Sequence, residues 1–178
     1  MGKRSDFARI PRDKYVTTDP LPVVRLQPHL PRAIKFAEPC AGNGDLIESM
    51  HWHGHECVYA CDTHPGQKWV DKRSAFTLDK GWRRLTGARM FVTNPPWTRD
   101  VLHPMIEHLA GLLPTVMLLD ADWKHTRQAV PFLDYCSLIV SVGRVKWFES
   151  SDGSGVDNSA WYFFDRGHHG GPRFIGLI

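Results

Sequence analysis

The stretch AIKFAEPCAGNGDLIESMHWHGHECVYACD, residues 33–62, decides the fold of this chain. Its first apolar run, at 33–38, predicts a β-strand, and the segment 45–54 has the spacing of a helix with Asp45 as its N-cap. A second apolar run at 56–62 follows directly and predicts another strand. A strand, a helix and a strand in this order form the unit from which parallel α/β sheets are built.

The rest of the chain continues this alternation. Further strands are predicted at 89–94, 114–122, 136–148 and 159–165, and helices at 65–74, 100–113 and 125–135. Pro104 should mark a start or a kink in the second of these helices. The last two strands are joined by a polar Gly/Ser/Asp loop without a helix, which indicates an antiparallel strand at the C-terminal edge. We therefore predict an α/β fold with a mostly parallel sheet, whose ligand binds at the C-terminal ends of the strands.

Positive charge is concentrated at the N-terminus. The 178 residues carry a formal net charge of +3, yet residues 1–35 hold eight Lys and Arg against three Asp. We expect residues 1–32 to form a basic arm and residues 33–178 a single folded domain. Such an arm suits a polyanion partner, and a solvated tail without a partner is the open alternative.

The compartment follows from what the sequence lacks. No apolar run approaches the length of a membrane helix, and the charged N-terminus has no apolar core of a secretory signal. The four cysteines are too scattered to form a disulfide framework. We expect a cytoplasmic protein with free thiols and no membrane contact.

A glycine-containing turn separates the first strand from the first helix. Gly42 and Gly44 allow a tight turn and a close approach of the backbone to a ligand, but Ile47 replaces the third glycine of a dinucleotide-binding pattern. Glu38 would repel a pyrophosphate, whereas Asp62 ends the next strand, where a carboxylate can bind ribose hydroxyls. These residues favour S-adenosylmethionine, a cationic nucleoside without phosphates. A purely structural glycine turn is the alternative.

A second turn ends the strand at 89–94. The segment FVTNPPWTRD, residues 91–100, has two adjacent prolines, which cannot donate to a sheet ladder. The strand must therefore stop at NPPW, and this turn should lie at the same sheet edge as the glycine turn. A structural proline turn with a core tryptophan is the simpler alternative.

Taken together, these segments resemble the amino-methyltransferases, a family that methylates exocyclic nitrogens, above all N6 of adenine in DNA. NPPW matches the family pattern (Asp/Asn/Ser)-Pro-Pro-(Tyr/Phe/Trp), and FAEPCAGNG matches F-x-(Asp/Glu)-P-x-x-G-x-G. YVTTDPLP, residues 15–22, is similar to the family's N-terminal motif, and the resemblance spans residues 15–165. It implies a Rossmann-like class I methyltransferase fold: a mostly parallel seven-stranded sheet, an antiparallel C-terminal strand and helices on both faces.

The resemblance also implies roles for individual residues. Binding of the cofactor S-adenosylmethionine is implied for Tyr15, Thr17, Glu38, Pro39, Gly42, Gly44, Asp62 and Asp79, with Ser74 as an alternative to Asp79. The amide oxygen of Asn94 and the carbonyl of Pro95 would accept hydrogen bonds from the two N–H groups of the target amine, with Pro96 adding rigidity. Trp97 would stack on a base flipped out of the duplex, and Trp147 or Phe148 would cover its second face.

The resemblance leaves the acceptor and the assembly open. We predict transfer to adenine N6 in double-stranded DNA with low or short sequence specificity, because the chain has no room for a separate target-recognition domain. Compact phage-type enzymes fit this picture, which would place the protein in a bacterial host cytoplasm. RNA adenine and a protein glutamine amide are alternative acceptors, and a catalytically silent nucleic-acid-binding subunit is an alternative of another class. The sequence is compatible with both a monomer and a homodimer.

The sequence HWHGHEC, residues 51–57, together with Cys61 and His64, contains zinc-binding residue types. Their spacing matches no known zinc pattern, so we predict no metal site. His103 and His108 are expected at the surface, and Cys40 is expected to be a small packing residue.

Overall fold

The computed structural model describes residues 17–147 and 157–177. The strands are β1 (Lys35–Glu38), β2 (Glu56–Asp62), β3 (Asp71–Lys72), β4 (Met90–Thr93), β5 (Thr115–Asp120), β6 (Cys136–Arg144), β7 (Asn158–Phe164) and β8 (Arg173–Ile175). The helices are α1 (Leu21–Leu26), α2 (Asp45–Trp52), α3 (Lys80–Thr86), α4 (Arg99–Ala110) and α5 (Val130–Leu133). Over the described ranges, no helix is long and apolar enough to cross a membrane.

Within the described residues, eight strands form one sheet in the order β3-β2-β1-β4-β5-β7-β6-β8. Neighbouring strands from β3 to β5 are parallel, and β7 is antiparallel to both β5 and β6. The predicted α/β fold, with a mostly parallel sheet and an antiparallel strand near the C-terminus, is confirmed. Two details differ: β7 lies between β5 and β6 instead of at the edge, and β8 adds an eighth strand parallel to β6. β8 is three residues long and follows two glycines, so it carries too little pattern to be predicted.

Several helix predictions need correction. The N-cap of α2 is Gly44, and Asp45 is the first helical residue. Residues 65–74 hold the short strand β3 in place of a helix, and residues 125–135 form 3-10 turns followed by the four-residue α5. Helix α3 was not predicted, because one buried residue, Trp82, gives no helical periodicity.

Both faces of the sheet are covered, and β5 shows how. Val116 and Leu118 belong to the core cluster that contains α1 and α2, whereas Met117 and Leu119 belong to the cluster under α3 and α4. Successive side chains of a strand point to opposite faces, so a strand buried on both faces has a continuous apolar sequence. The run TVMLLD therefore lies at the centre of the domain.

Helix α1 lies in the part of the chain for which we predicted a basic arm. Val23 and Leu26 are fully buried in the core, and the indole N–H of Trp161 in β7 donates to the Pro22 carbonyl oxygen at 2.7 Å. A buried hydrogen bond of this kind fixes the helix to the sheet. Helix α1, in the segment predicted as an arm, therefore packs into the core beside the sheet.

Candidate active site

A cavity of about 440 Å³ opens at the sheet edge where β1, β2 and β4 end. These strands are neighbours, so the residues that end or follow them meet although they are far apart in sequence. Seven predicted site residues line the cavity: Thr17, Glu38, Pro39, Gly42, Asp62, Asn94 and Pro96. The tertiary fold thus unites the two turns that the sequence singled out.

The glycine turn is held by the strand beside it. Gly42 has a φ of +51°, and its N–H donates to Asp62 Oδ2 at 2.9 Å. The other carboxylate oxygen, Oδ1, accepts from the His64 N–H at 2.7 Å. A carboxylate has about four acceptor positions, so Asp62 can still accept from ligand hydroxyls while it holds both loops.

Gly44 shapes the turn without lining the cavity. Its φ is +89°, a conformation that L-residues other than glycine rarely adopt. A methyl group at this position would lie 2.6 Å from ring atoms of Trp69, which is closer than any stable contact. Gly44 is thus required by backbone conformation and packing at the start of α2.

Glu38 provides the most unusual electrostatic feature of the cavity. The residue is 2 % exposed, and its Oε2 is buried with no hydrogen-bond partner among the described residues. Burial raises the pKa of the Glu38 carboxyl well above its usual range, and the nearby Asp62 and Asp45 carboxylates raise it further. A buried acceptor without a partner, surrounded by other acids, is suited to bind a cationic group of a ligand.

Asn94 is held at the cavity wall by a neighbouring side chain. Its Nδ2 group donates to Thr17 Oγ1 at 3.1 Å, and Thr17 is 5 % exposed. Pro96 lines the cavity beside Asn94, whereas the Pro95 residue is buried. Thr17 and Asn94, which are 77 positions apart in sequence, therefore share one wall.

The two tryptophans predicted to hold a base contact each other. Trp97 donates its indole N–H to the Leu118 carbonyl oxygen at 3.0 Å, and its ring meets Trp147 edge to face, with centroids 5.6 Å apart and an interplanar angle of 86°. Two perpendicular rings in contact leave no room for a base between them, so the predicted stacking of a base between Trp97 and Trp147 would require the two rings to separate. The other candidate, Phe148, and the predicted cofactor residue Tyr15 lie outside the described residues.

Asp79, which was predicted to contact the cofactor, does not line the cavity. Asp79 is the N-cap of α3, where its Oδ1 accepts from the Trp82 N–H at 2.7 Å. The cavity wall in this region is formed by Ser74, Ala75 and Phe76, consistent with the alternative assignment of Ser74. A Ser/Thr/Asp residue shortly before a helix is a capping signal, and Asp79 has this role at the start of α3.

Other lining residues were not predicted as part of a binding site. Val101 and Met105 extend from one face of α4 into the wall, and the Cys40 thiol lies 3.7 Å from the Met105 sulfur. Burial raises the pKa of Cys40 far above its usual range, so the thiol is inert and serves packing. The four-residue spacing of Val101 and Met105 indicated a buried helix face but could not indicate a ligand.

No group of three or more His, Cys, Asp or Glu residues within 17–147 and 157–177 is placed to hold a metal ion.

His103 is not a simple surface residue as predicted, because its Nε2 accepts from the Trp123 indole at 3.2 Å and its ring packs on Phe132. Burial and the nearby Arg99 lower the pKa of His103, which keeps the ring neutral and able to accept.

Solved methyltransferase structures share this fold. Dnmt2 methyltransferase from S. pombe aligns with a TM-score of 0.53 at 10 % identity, over 81 % of this chain and 52 % of that one. Precorrin-6y C5,15-methyltransferase from Geobacter metallireducens GS-15 aligns with a TM-score of 0.52 at 18 % identity, over 85 % of this chain and 91 % of that one. This chain thus spans about half the length of the first protein and most of the second.

The likeness establishes the Rossmann-like fold of class I methyltransferases, as predicted from the sequence. At these identities it establishes the fold alone, and the substrate has to be argued from the site. No protein-family model and no curated protein matches the sequence.

Proposed function

We propose that this protein transfers the methyl group of S-adenosylmethionine to the N6 amino group of adenine in DNA. One observation carries the proposal: the acids Glu38 and Asp62 and the carboxamide of Asn94 line the same cavity. A wall lined by acids suits a cationic nucleoside. An amide oxygen beside that wall can accept a hydrogen bond from a neutral amine and orient it towards the methyl group. The cavity volume lies in the range of small-molecule sites.

The residues of the chain fit the cofactor on physical grounds. Glu38 would accept from its cationic amino-acid end, because the buried Oε2 otherwise stays unpaired. Asp62 would accept from its ribose hydroxyls with the acceptor positions left by Gly42 and His64. When bound, the cofactor supplies an electrophilic methyl group on a sulfonium whose departure leaves a neutral thioether.

The NPPW turn would prepare the nucleophile. The adenine N6 lone pair is delocalised into the ring, so the free amine is a weak nucleophile. Asn94 Oδ1 and the Pro95 carbonyl would accept from the two N6–H bonds, which increases electron density on nitrogen and aims the lone pair at the methyl carbon. Transfer would form the N–C bond as the C–S bond breaks, and the proton lost from N6 would pass to solvent. Trp97 would support the base on the ring face that Trp147 does not contact.

The test combines labelled cofactor with separate acceptors. Wild-type protein is incubated with methyl-labelled S-adenosylmethionine and duplex DNA, RNA or protein, and the digested DNA is analysed for N6-methyladenine. Label in N6-methyladenine of DNA supports the proposal. Label confined to RNA or protein refutes the acceptor, and cofactor binding without transfer to any of them supports a silent nucleic-acid-binding subunit.

The Asn94→Ala variant tests the site itself. We expect transfer to fall by about 100-fold or more, since a preorganised polar contact to the reacting group is lost. Cofactor affinity should stay nearly unchanged. Asn158→Ala is the matched control, because Asn158 is exposed at the start of β7. A large loss of cofactor binding in the Asn94 variant, or equal transfer by both variants, would contradict the assigned role.

A further inference from the structure

Three carboxyl groups share the wall of one cavity. Glu38, Asp45 and Asp62 all line it, and none of the described lining residues is a lysine or an arginine. Carboxyl groups that lie close together disfavour one another's ionised form, because like charges repel most strongly where little water screens them. The cavity wall is therefore acidic and has no described lysine or arginine to balance it.

The three acids differ in the partners that stabilise a negative charge. Asp62 accepts from the backbone N–H groups of Gly42 and His64, at 2.9 and 2.7 Å, and such hydrogen bonds favour the ionised form. Asp45 lies in the first turn of α2, where the positive end of the helix dipole stabilises an anion. Glu38 has neither kind of support: it is 2 % exposed, and its Oε2 atom is buried with no hydrogen-bond partner among the described residues.

Glu38 is consequently the acid that keeps its proton while no cation lies beside it. Burial raises the pKa of its carboxyl well above the usual range, and the charges of Asp62 and Asp45 raise it further. Among the described residues, the thiols of Cys40 and Cys57 also interact with Glu38, and burial raises the pKa of both thiols, so they stay neutral. No cationic side chain of the described ranges is among the groups that shift the pKa of Glu38.

A cation placed against Glu38 reverses this balance. An opposite charge within a few ångströms favours the ionised carboxylate, and an ammonium group also supplies the hydrogen-bond donor that Oε2 lacks. The amino-acid end of S-adenosylmethionine carries such a group, with three N–H donors. A neutral group at the same place would leave the carboxyl protonated, so loss of the proton is specific to a cation.

We propose that Glu38 gives up its proton to solvent when it binds the ammonium group of the cofactor, so that cofactor affinity rises with pH. The O–H bond of the carboxyl breaks, the proton passes to the buffer, and the resulting carboxylate accepts from the ammonium N–H groups. The identity of the ligand rests on the proposed function. The new element is that the site exchanges a proton for a cation, so acidification should release the cofactor.

Isothermal titration calorimetry counts the released protons directly. Wild-type protein is titrated with S-adenosylhomocysteine, which keeps the amino-acid end but has no methyl group to transfer, in two buffers of different ionisation enthalpy at about pH 6. The ammonium group of the free ligand stays protonated there, because an α-amino group titrates near about 7.7–8.0. We expect release of about half a proton or more per ligand bound, and a Kd that falls at least about threefold from about pH 5.5 to about 6.5.

Two variants and a second ligand assign the proton to Glu38. Glu38→Gln keeps the length of the side chain but has no proton to lose, so it should release about half a proton less than the wild type, or less still. Glu48→Gln should release as much as the wild type, because Glu48 is exposed on α2. The nucleoside 5′-methylthioadenosine has no amino-acid end and should release no proton from the wild type. This ligand decides the assignment if Glu38→Gln does not fold or bind.

Binding of S-adenosylhomocysteine without proton release would overturn the proposal. Equal release by the wild type and Glu38→Gln, or equal release with the two ligands, would overturn it as well. Such results leave methyl transfer untouched, so the proposed function would stand. Proton release by a wild-type protein that methylates no acceptor would instead refute the proposed function and support proton-linked binding, so the two failures are distinguishable.

Discussion

Replacement of the buried acid Glu38 by Gln tests the electrostatics of the cavity. Because burial and two neighbouring acids raise the pKa of Glu38 in the folded protein, the folded state binds a proton that the unfolded state releases. The free energy of unfolding should therefore be highest below the ordinary Glu value of 4.5 and fall as the pH rises from there towards the raised pKa. Glu38→Gln removes the titrating group, so this decline should be missing from the variant.

The size of the effect has an upper limit set by proton linkage. For each pH unit between the Glu38 pKa of the unfolded state and that of the folded state, the free energy of unfolding falls by about 1.36 kcal/mol. At pH 7, uptake of one proton by Glu38 can therefore cost at most about 3.4 kcal/mol relative to pH 4.5. We expect the wild-type protein to lose stability over this pH range by an amount within that limit, which is large relative to a small domain's stability.

Urea denaturation between pH 4.5 and 8 measures the difference between the two proteins. When the pH dependence of the free energy of unfolding is compared between the two proteins, the contributions of the other titrating groups cancel. Asp62 and Asp45 are the exceptions, because their charges act on Glu38. Glu48→Gln is the matched control, because Glu48 is exposed on α2 and its removal should leave the wild-type slope intact. If wild type and Glu38→Gln lose stability in parallel as the pH rises, the carboxyl is not buried as described and the assignment of a cation-binding acid fails.

Two further substitutions test the packing that supports the site. Gly44→Ala should destabilise the protein by about 2–4 kcal/mol, since an alanine at φ +89° is strained and its methyl would lie 2.6 Å from the Trp69 ring. Gly54→Ala, at φ +81° with no atom within 4 Å, should cost only about 1 kcal/mol, and equal losses in urea denaturation would refute the packing argument. Trp161→Phe should cost about 1–3 kcal/mol, because the carbonyl on α1 loses its indole donor. A shift below about 0.5 kcal/mol in the same assay would show that α1 is not fixed by this bond.

The sequence by itself determined the fold class and the two turns of the site. Strand and helix signals over residues 33–62 placed Glu38 and Asp62 at the ends of neighbouring parallel strands, and the prolines after Asn94 fixed the end of β4. These signals are local: apolar periodicity, glycine conformation and the missing N–H of proline act within a few residues. Parallel topology then requires that strand ends share one edge, so the union of both turns in one cavity could be expected from the sequence.

The tertiary structure decided which neighbours complete that edge. Asp79 caps α3, and the rings of Trp97 and Trp147 pack on each other, and neither contact is signalled by the sequence. The contact of Thr17 with Asn94 has no sequence signal at all, because it joins segments 77 positions apart through side chains. A hydrogen bond or ring contact depends on where whole elements settle in the packed core, and no local pattern encodes that distance.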